Sequence, residues 1–485
     1  MTAVRDLVAR RRMGSGFDPA DRPFILGGVL VVGILLAAVA VMLDRSALDV
    51  WTGLIVLLVL VTVSVPMLQW VARKEGDQWL FTVLLLAVVV HLLFALVRYY
   101  FIFAVYKGSA DAGRYHEAGA TFASRFRDGE PLHPIPIMEG FPVESQRIGD
   151  VTGVLYLITG PSAYAGFFLF SWLCFWGQVL IVRGFKRAVP EGDYRRYTLL
   201  VMFLPSLLFW PASIGKEALM IFCLGIIVYG GALLLGPTPQ LKGGIFFVGG
   251  VLLVLLVRPH VALMSLGGLA VAMGVGSLAS SNMTERLGAR GRVVRLAALA
   301  VLLALAGVAI SVAGQSFADR GSEGASAGSA LEKALNQSAT GNSEFQPVAV
   351  TGPAQVPAGV VSVLFRPFPW EARNPNSLLA AAESLLLIGL VAISWRRLAT
   401  FPKMAVRRPF LVFCLVYVLA FSIGFSFIAN FGILARQRVQ VLPIVLVFLA
   451  LPRLDQLRAR DRSAADAGSV GAPGHAVASA PKVMS

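Results

Sequence analysis

FLPSLLFWPASIGKEALMIF, residues Phe203 to Phe222, joins two apolar runs, Tyr197 to Pro211 and Ala218 to Leu235, through the short charged link Ser213-Ile214-Gly215-Lys216-Glu217. A charged side chain at bilayer depth costs roughly 2.5 to 3.5 kcal/mol on insertion scales, so such groups are kept where they face a polar cavity, a partner or a ligand. Pro205 and Pro211 remove backbone donors and Gly215 relaxes the backbone, so the segment is expected to break or dip at a membrane face. Lys216 is therefore the first pointer to a buried polar site.

Composition sets the class. Of 485 residues, 57% are hydrophobic and only 14% charged, with a mean hydropathy of +0.74. Several apolar runs approach the ~20 residues needed to cross a bilayer, which reads as an all-α polytopic membrane protein. Cys174, Cys223 and Cys414 fall inside apolar runs, leaving no CxxC pair, no disulfide framework and no zinc spacing. Five scattered histidines add no HExxH motif. No metal and no cofactor are expected.

Outward from the central link, about twelve transmembrane helices are expected: Phe24 to Leu43, Trp51 to Val71, Trp79 to Val97, Gly160 to Val182, Tyr197 to Pro211, Ala218 to Leu235, Gly243 to Val257, Val261 to Ala279, Leu296 to Ala313, Leu378 to Trp395, Phe410 to Ile428 and Val439 to Leu451. Residues 1–23 form a basic N-terminus, 24–453 the helical domain, and 454–485 a small-residue polar tail expected to be disordered. An even number of spans puts both termini on one side. Most of the 42 basic residues then fall on that side, including Arg73, Lys74, Arg183, Lys186, Arg195, Arg290, Arg397 and Arg408. The positive-inside rule makes that side the cytoplasm and the membrane the inner, cytoplasmic one. The net charge of +15 is thus topological, and nucleic acid is not expected as a partner.

Two long extracytoplasmic loops remain, 98–152 and 314–377. Long loops without regular structure are usually functional or disordered. Residues 314–359 have the composition of a mobile flap, and 360–376 are aromatic and charged, suited to an interface. At the outer face the sequence gathers Asp111, Tyr115, His116 and Glu117; Lys216 and Glu217; Arg258 and His260; Arg366, Trp370 and Glu371; and Arg436 and Arg438. Each Arg alone could be an anchor snorkelling to headgroups. Acidic companions on five separated segments argue instead for a pocket.

Such a pocket suits a phosphate, since Arg offers a planar donor fork and Lys a point charge. Lys216, Arg258, Arg436 and Arg438 are the candidate phosphate-binding residues. Asp111 is the candidate general base, with His116 and His260 as rivals; Tyr115, Glu217, Arg366, Trp370 and Glu371 would line the substrate. A lipid-linked sugar donor places its phosphate at the headgroup plane and its chain in lipid. No nucleotide-binding loop is visible, which favours that donor over a nucleotide sugar.

Twelve spans, cytoplasmic termini, a long outer loop between the ninth and tenth spans, and arginines at outer helix ends resemble the O-antigen polymerase and ligase type of membrane glycosyltransferase, with a GT-C-like bundle. The stretches SADAGRYH, PSLLFWPASIGKEAL and NFGILARQRVQVLP are similar to segments of bacterial polysaccharide-assembly membrane proteins. The resemblance implies transfer from a polyprenyl-diphosphate carrier to a glycan or lipid-linked acceptor without a metal, with Arg258, Arg436 and Arg438 at the diphosphate. Membrane lipids and other polysaccharide-assembly membrane proteins would be its partners. A ligase-type histidine is missing from the loop between Gly314 and Ser377. The competing readings are a polyprenyl-monophosphate-dependent mannosyl- or arabinosyl-type transferase and a flippase or transporter of lipid-linked glycans. The first would place its acidic residue in the first outer loop, whereas Asp111 follows the third span. Against the second, no internal repeat is evident.

Overall fold

The computed structural model describes residues 48–108, 110–130, 143–279, 344–373, 375–459 and 462. Within these the chain is helical, with a single isolated bridge between Glu344 and Asn430. In order come α1 Leu48–Glu75, α2 Gln78–Tyr100, α3 Asp111–Arg127, α4 Val143–Thr159, α5 Ala163–Ala188, α6 Tyr194–Phe203, α7 Pro205–Phe209, α8 Lys216–Leu235, α9 Lys242–Val257 and α10 Pro259–Ala279. They continue as α11 Val356–Phe365, α12 Pro375–Ile393, α13 Trp395–Leu398, α14 Phe401–Arg407, α15 Pro409–Phe425, α16 Phe431–Arg438 and α17 Leu442–Leu449.

Local sequence explains the helix ends. Asp77, Ser162, Asp193 and Asn430 cap α2, α5, α6 and α16 by accepting from backbone N–H groups of the first turn. Pro205 cannot continue α6, so the chain breaks at Leu204 and restarts as α7. The expected span from Tyr197 to Pro211 is therefore two short helices.

Five helices among the described residues are long and apolar enough to cross a membrane, or seven if the bent pairs α14 with α15 (118°) and α16 with α17 (62°) each count as one span. The expected spans Phe24 to Leu43 and Leu296 to Ala313 lie outside the described residues, as do residues 1–23, most of the 314–359 flap and nearly all of the C-terminal tail. Large apolar side chains face outward along α1, α9 and α12, among them Leu58, Ile245, Leu252 and Leu379. That surface is suited to lipid and not to water. The fold is that of an all-helical, multi-pass membrane protein.

The stretch 98–152, expected as a long outer loop, holds α3 and most of α4, which pack on each other. Ala112, Tyr115, Ala118, Gly119 and Phe122 are buried on one face of α3 at helical spacing.

The centre is α8, packed between α5 and α9. Helix association in lipid relies on close backbone approach more than on the hydrophobic effect. A Cβ at Gly225 would strike the carbonyl oxygen of Gly177, and one at Gly230 would stand 2.5 Å from the Phe247 nitrogen. Gly166 lies against Ile214, Gly177 against Ile221 and Gly184 against Tyr229, so α5 and α8 run parallel, whereas α9 runs antiparallel to α8. This fixes two ends. One end gathers the C-termini of α1, α5 and α17 with the N-terminus of α6. There Arg183 and Lys186 pair with Glu75 at 2.9 and 3.6 Å, Arg397 pairs with Asp193 at 2.8 Å, and Arg408 pairs with Glu191. The other end holds the C-terminus of α2, the N-terminus of α8 and the turn between α9 and α10.

Candidate functional site

At that second end Glu217 sits in the first turn of α8, where the helix dipole favours a carboxylate. Its Oε1 lies 3.1 Å from Nη2 of Arg258 and 2.8 Å from Nε of Arg436. Nη1 of Arg436 reaches Oδ2 of Asp111 at 2.8 Å. Arg258 also donates to Gln437 Oε1, which accepts from Gln440 Nε2 at 2.8 Å. Four segments that are remote in sequence therefore share one hydrogen-bonded charge cluster. The side chains of Glu217 and Arg258 are 4% and 9% exposed, whereas Arg436 and Asp111 retain 31% and 42%. The buried half of the cluster is a structural tie, and the open half is where a ligand can arrive.

Each position follows from its element. Arg258 is the residue between α9 and α10, held there because Pro259 starts the next helix. Asp111 opens α3, and Tyr115 stands one turn later on the same face. Burial, followed by the nearby Asp111 charge, pushes the Tyr115 phenol up to about 12. Its hydroxyl therefore keeps its proton across the physiological range.

His116 turns away from this face. Its Nδ1 is 2.7 Å from the Tyr156 hydroxyl on α4, and burial lowers its pKa below 6.5, against an opposing pull from Asp49. Its hydrogen bond and ring contact join α3 to α4 and not to the charge cluster. His260 lies two residues after Arg258, its ring 5.7 Å from Phe425. Lys216 is half-buried at the first position of α8, beside Glu217.

Arg366 and Glu371 pair with each other, and Arg366 also donates to Gln346 O at 2.9 Å while stacking over Phe345 at 4.5 Å. Trp370 is 80% exposed and stacks on Phe368. Arg366 and Glu371 make a local clasp over the start of α16, through Phe345 on Phe431, and among the described residues no hydrogen bond or ion pair joins them to Glu217. Burial opposes ionisation of Glu371, but the Arg366 and Phe368 hydrogen bonds outweigh it and hold its carboxyl below its usual range. Arg438 is fully buried. Its Nη1 donates to Leu364 O at 2.9 Å and Ser384 Oγ at 3.3 Å, tying α16 to α11 and α12.

One residue of this centre went unnoticed in the sequence. Arg98, in the last turn of α2, lies over Phe209 at 4.6 Å and Trp210 at 5.4 Å and is an electrostatic neighbour of Glu217 and Arg436. Gln437, part of the outer-face stretch Arg436-Gln437-Arg438, had no role assigned from sequence and turns out to bridge Arg258 and Gln440. A cavity of about 580 Å³ lies elsewhere, between α1 and α5, with Trp70, Trp172 and Trp176 in its walls; none of the site residues lines it. Among the described residues no cluster of His, Cys, Asp or Glu could hold a metal ion.

Fold and site together define a multi-pass helical membrane protein with an Arg-rich, carboxylate-bearing centre at one end of its bundle. No protein-family model, no curated protein and no solved structure matches the chain.

Proposed function

We propose that this chain is a membrane glycosyltransferase that moves sugar units from a polyprenyl-(di)phosphate donor to a glycan or lipid-linked acceptor on the extracytoplasmic face of the inner membrane. About twelve spans with cytoplasmic termini and an O-antigen polymerase-like relationship belong to the same reading. The observation that carries it is the half-open Asp111–Arg436–Glu217–Arg258 cluster at the end of the bundle opposite the basic loops. Guanidiniums there, with Lys216, would receive the charge that grows on the departing phosphate.

In the reaction the acceptor hydroxyl oxygen forms a bond to the anomeric carbon as the bond from that carbon to the phosphate oxygen breaks. The electron pair leaves with the phosphate, and the hydroxyl proton passes to Asp111. Asp111 suits this role because it is partly open, with Arg436 fixing one oxygen. Glu217, enclosed between two guanidiniums, orients them. The deciding experiment is the lipid-linked pool of a host lacking the protein: unextended polyprenyl-linked units should accumulate. An unchanged pool would contradict transfer, and accumulation of complete glycan on the cytoplasmic leaflet would favour transport.

A further inference from the structure

We propose that Arg98 is the guanidinium that first takes a phosphoryl oxygen of the donor. The proposal rests on the function proposed above and names a further residue of the same site. Arg258 and Arg436 already commit donors to Glu217, Asp111 and Gln437. Arg98 makes no hydrogen bond or ion pair among the described residues, and its Nε is enclosed without an acceptor. Its terminal nitrogens are not enclosed in this way.

The guanidinium plane is held by its position over Phe209 and Trp210, the aromatic residues that the break at Pro205 delivers to this end. Stacking orients the fork without consuming its donors. Three guanidiniums stand against the two carboxylates of Glu217 and Asp111, so the centre carries surplus positive charge even before Lys216 is counted. A snorkelling anchor would point its head to the interface; the Arg98 guanidinium instead lies over Phe209 and Trp210, within electrostatic reach of Glu217 and Arg436. An oriented, hydrogen-bond-deficient cation beside a positive cluster is suited to a phosphate or diphosphate.

The test uses the full-length protein in detergent, with farnesyl diphosphate as the charged probe and farnesol as its uncharged counterpart, titrated calorimetrically. The wild type should bind the diphosphate more tightly than the alcohol. Arg98→Gln should weaken diphosphate binding by about tenfold or more, as loss of a charged hydrogen bond implies, and leave farnesol binding unchanged. Arg98→Lys keeps the cation and loses the fork, so it should also weaken the diphosphate selectively; it carries the test if Arg98→Gln does not survive purification. Lys74→Gln, at the opposite end of the bundle, should bind as the wild type does. Wild-type binding of the diphosphate with undiminished binding by both Arg98 variants overturns the Arg98 assignment alone. No preference of the wild type for diphosphate over farnesol overturns the phosphate-holding site itself.

Discussion

Nε of Arg436 stands 2.8 Å from Oε1 of Glu217, and the same arginine reaches Asp111 through Nη1, also at 2.8 Å. One side chain thus joins the N-terminus of α8 to the N-terminus of α3, an enclosed carboxylate to a half-open one. Anything that moves α16 moves both.

Loss of Glu217 should be costly. Glu217→Ala leaves Arg258 and Arg436 facing each other in an enclosed place, and breaking a buried pair from one side typically costs about 3–5 kcal/mol. Thermal unfolding in detergent should show a large drop in midpoint. Arg366→Lys, in the separate clasp, should change it much less. Equal midpoints for Glu217→Ala and the wild type would remove the tie from the fold.

Much of this centre was legible because the ends of apolar runs fix the depth of the flanking charges. Lys216, Glu217, Arg258 and Arg436 could be placed on one face from the sequence alone. Angular position around the bundle could not. A single residue step on α3 separates Tyr115, facing the cluster, from His116, facing Tyr156. Arg98 was hidden because it closes an apolar run, where an arginine reads as an anchor. Arg366 and Glu371 lie close in sequence and satisfied each other. The break at Pro205 was readable, whereas the α3–α4 pair was missed although α3 carries a clear apolar stripe.

Acidification should loosen that pair. Burial depresses the His116 pKa, so the unfolded chain binds its proton first. The contribution to stability is full above 6.5 and is lost as pH falls through the lower, folded value. The protection factors of amides in residues 111–127, corrected for the intrinsic pH dependence of exchange, should therefore fall between pH 7.5 and pH 5, and the fall should shrink in His116→Gln. Protection factors that do not change with pH in the wild type would contradict it.

Topology gives a third expectation. The native cysteines are all buried, so single introduced cysteines report cleanly. Arg125→Cys, on the exposed face of α3, should label with an impermeant reagent from the extracytoplasmic side. Arg73→Cys, at the end of α1, should label only after the membrane is opened. The reverse pattern would turn the charge cluster toward the cytoplasm.

Arg438 should behave as a structural tie. Its bonds to Leu364 O and Ser384 Oγ are fully enclosed, so Arg438→Lys should lower the unfolding midpoint without a selective loss of diphosphate over alcohol binding. A selective loss would return Arg438 to the phosphate-binding set.

The most direct test of sugar transfer at this centre is the turnover of reconstituted Asp111→Asn protein supplied with polyprenyl-linked donor. The substitution keeps shape and removes basicity. If Asp111 takes the acceptor proton, turnover should fall by about 10²- to 10⁴-fold while donor binding and the unfolding midpoint stay close to wild type. Full turnover in a well-folded Asp111→Asn protein would contradict the account.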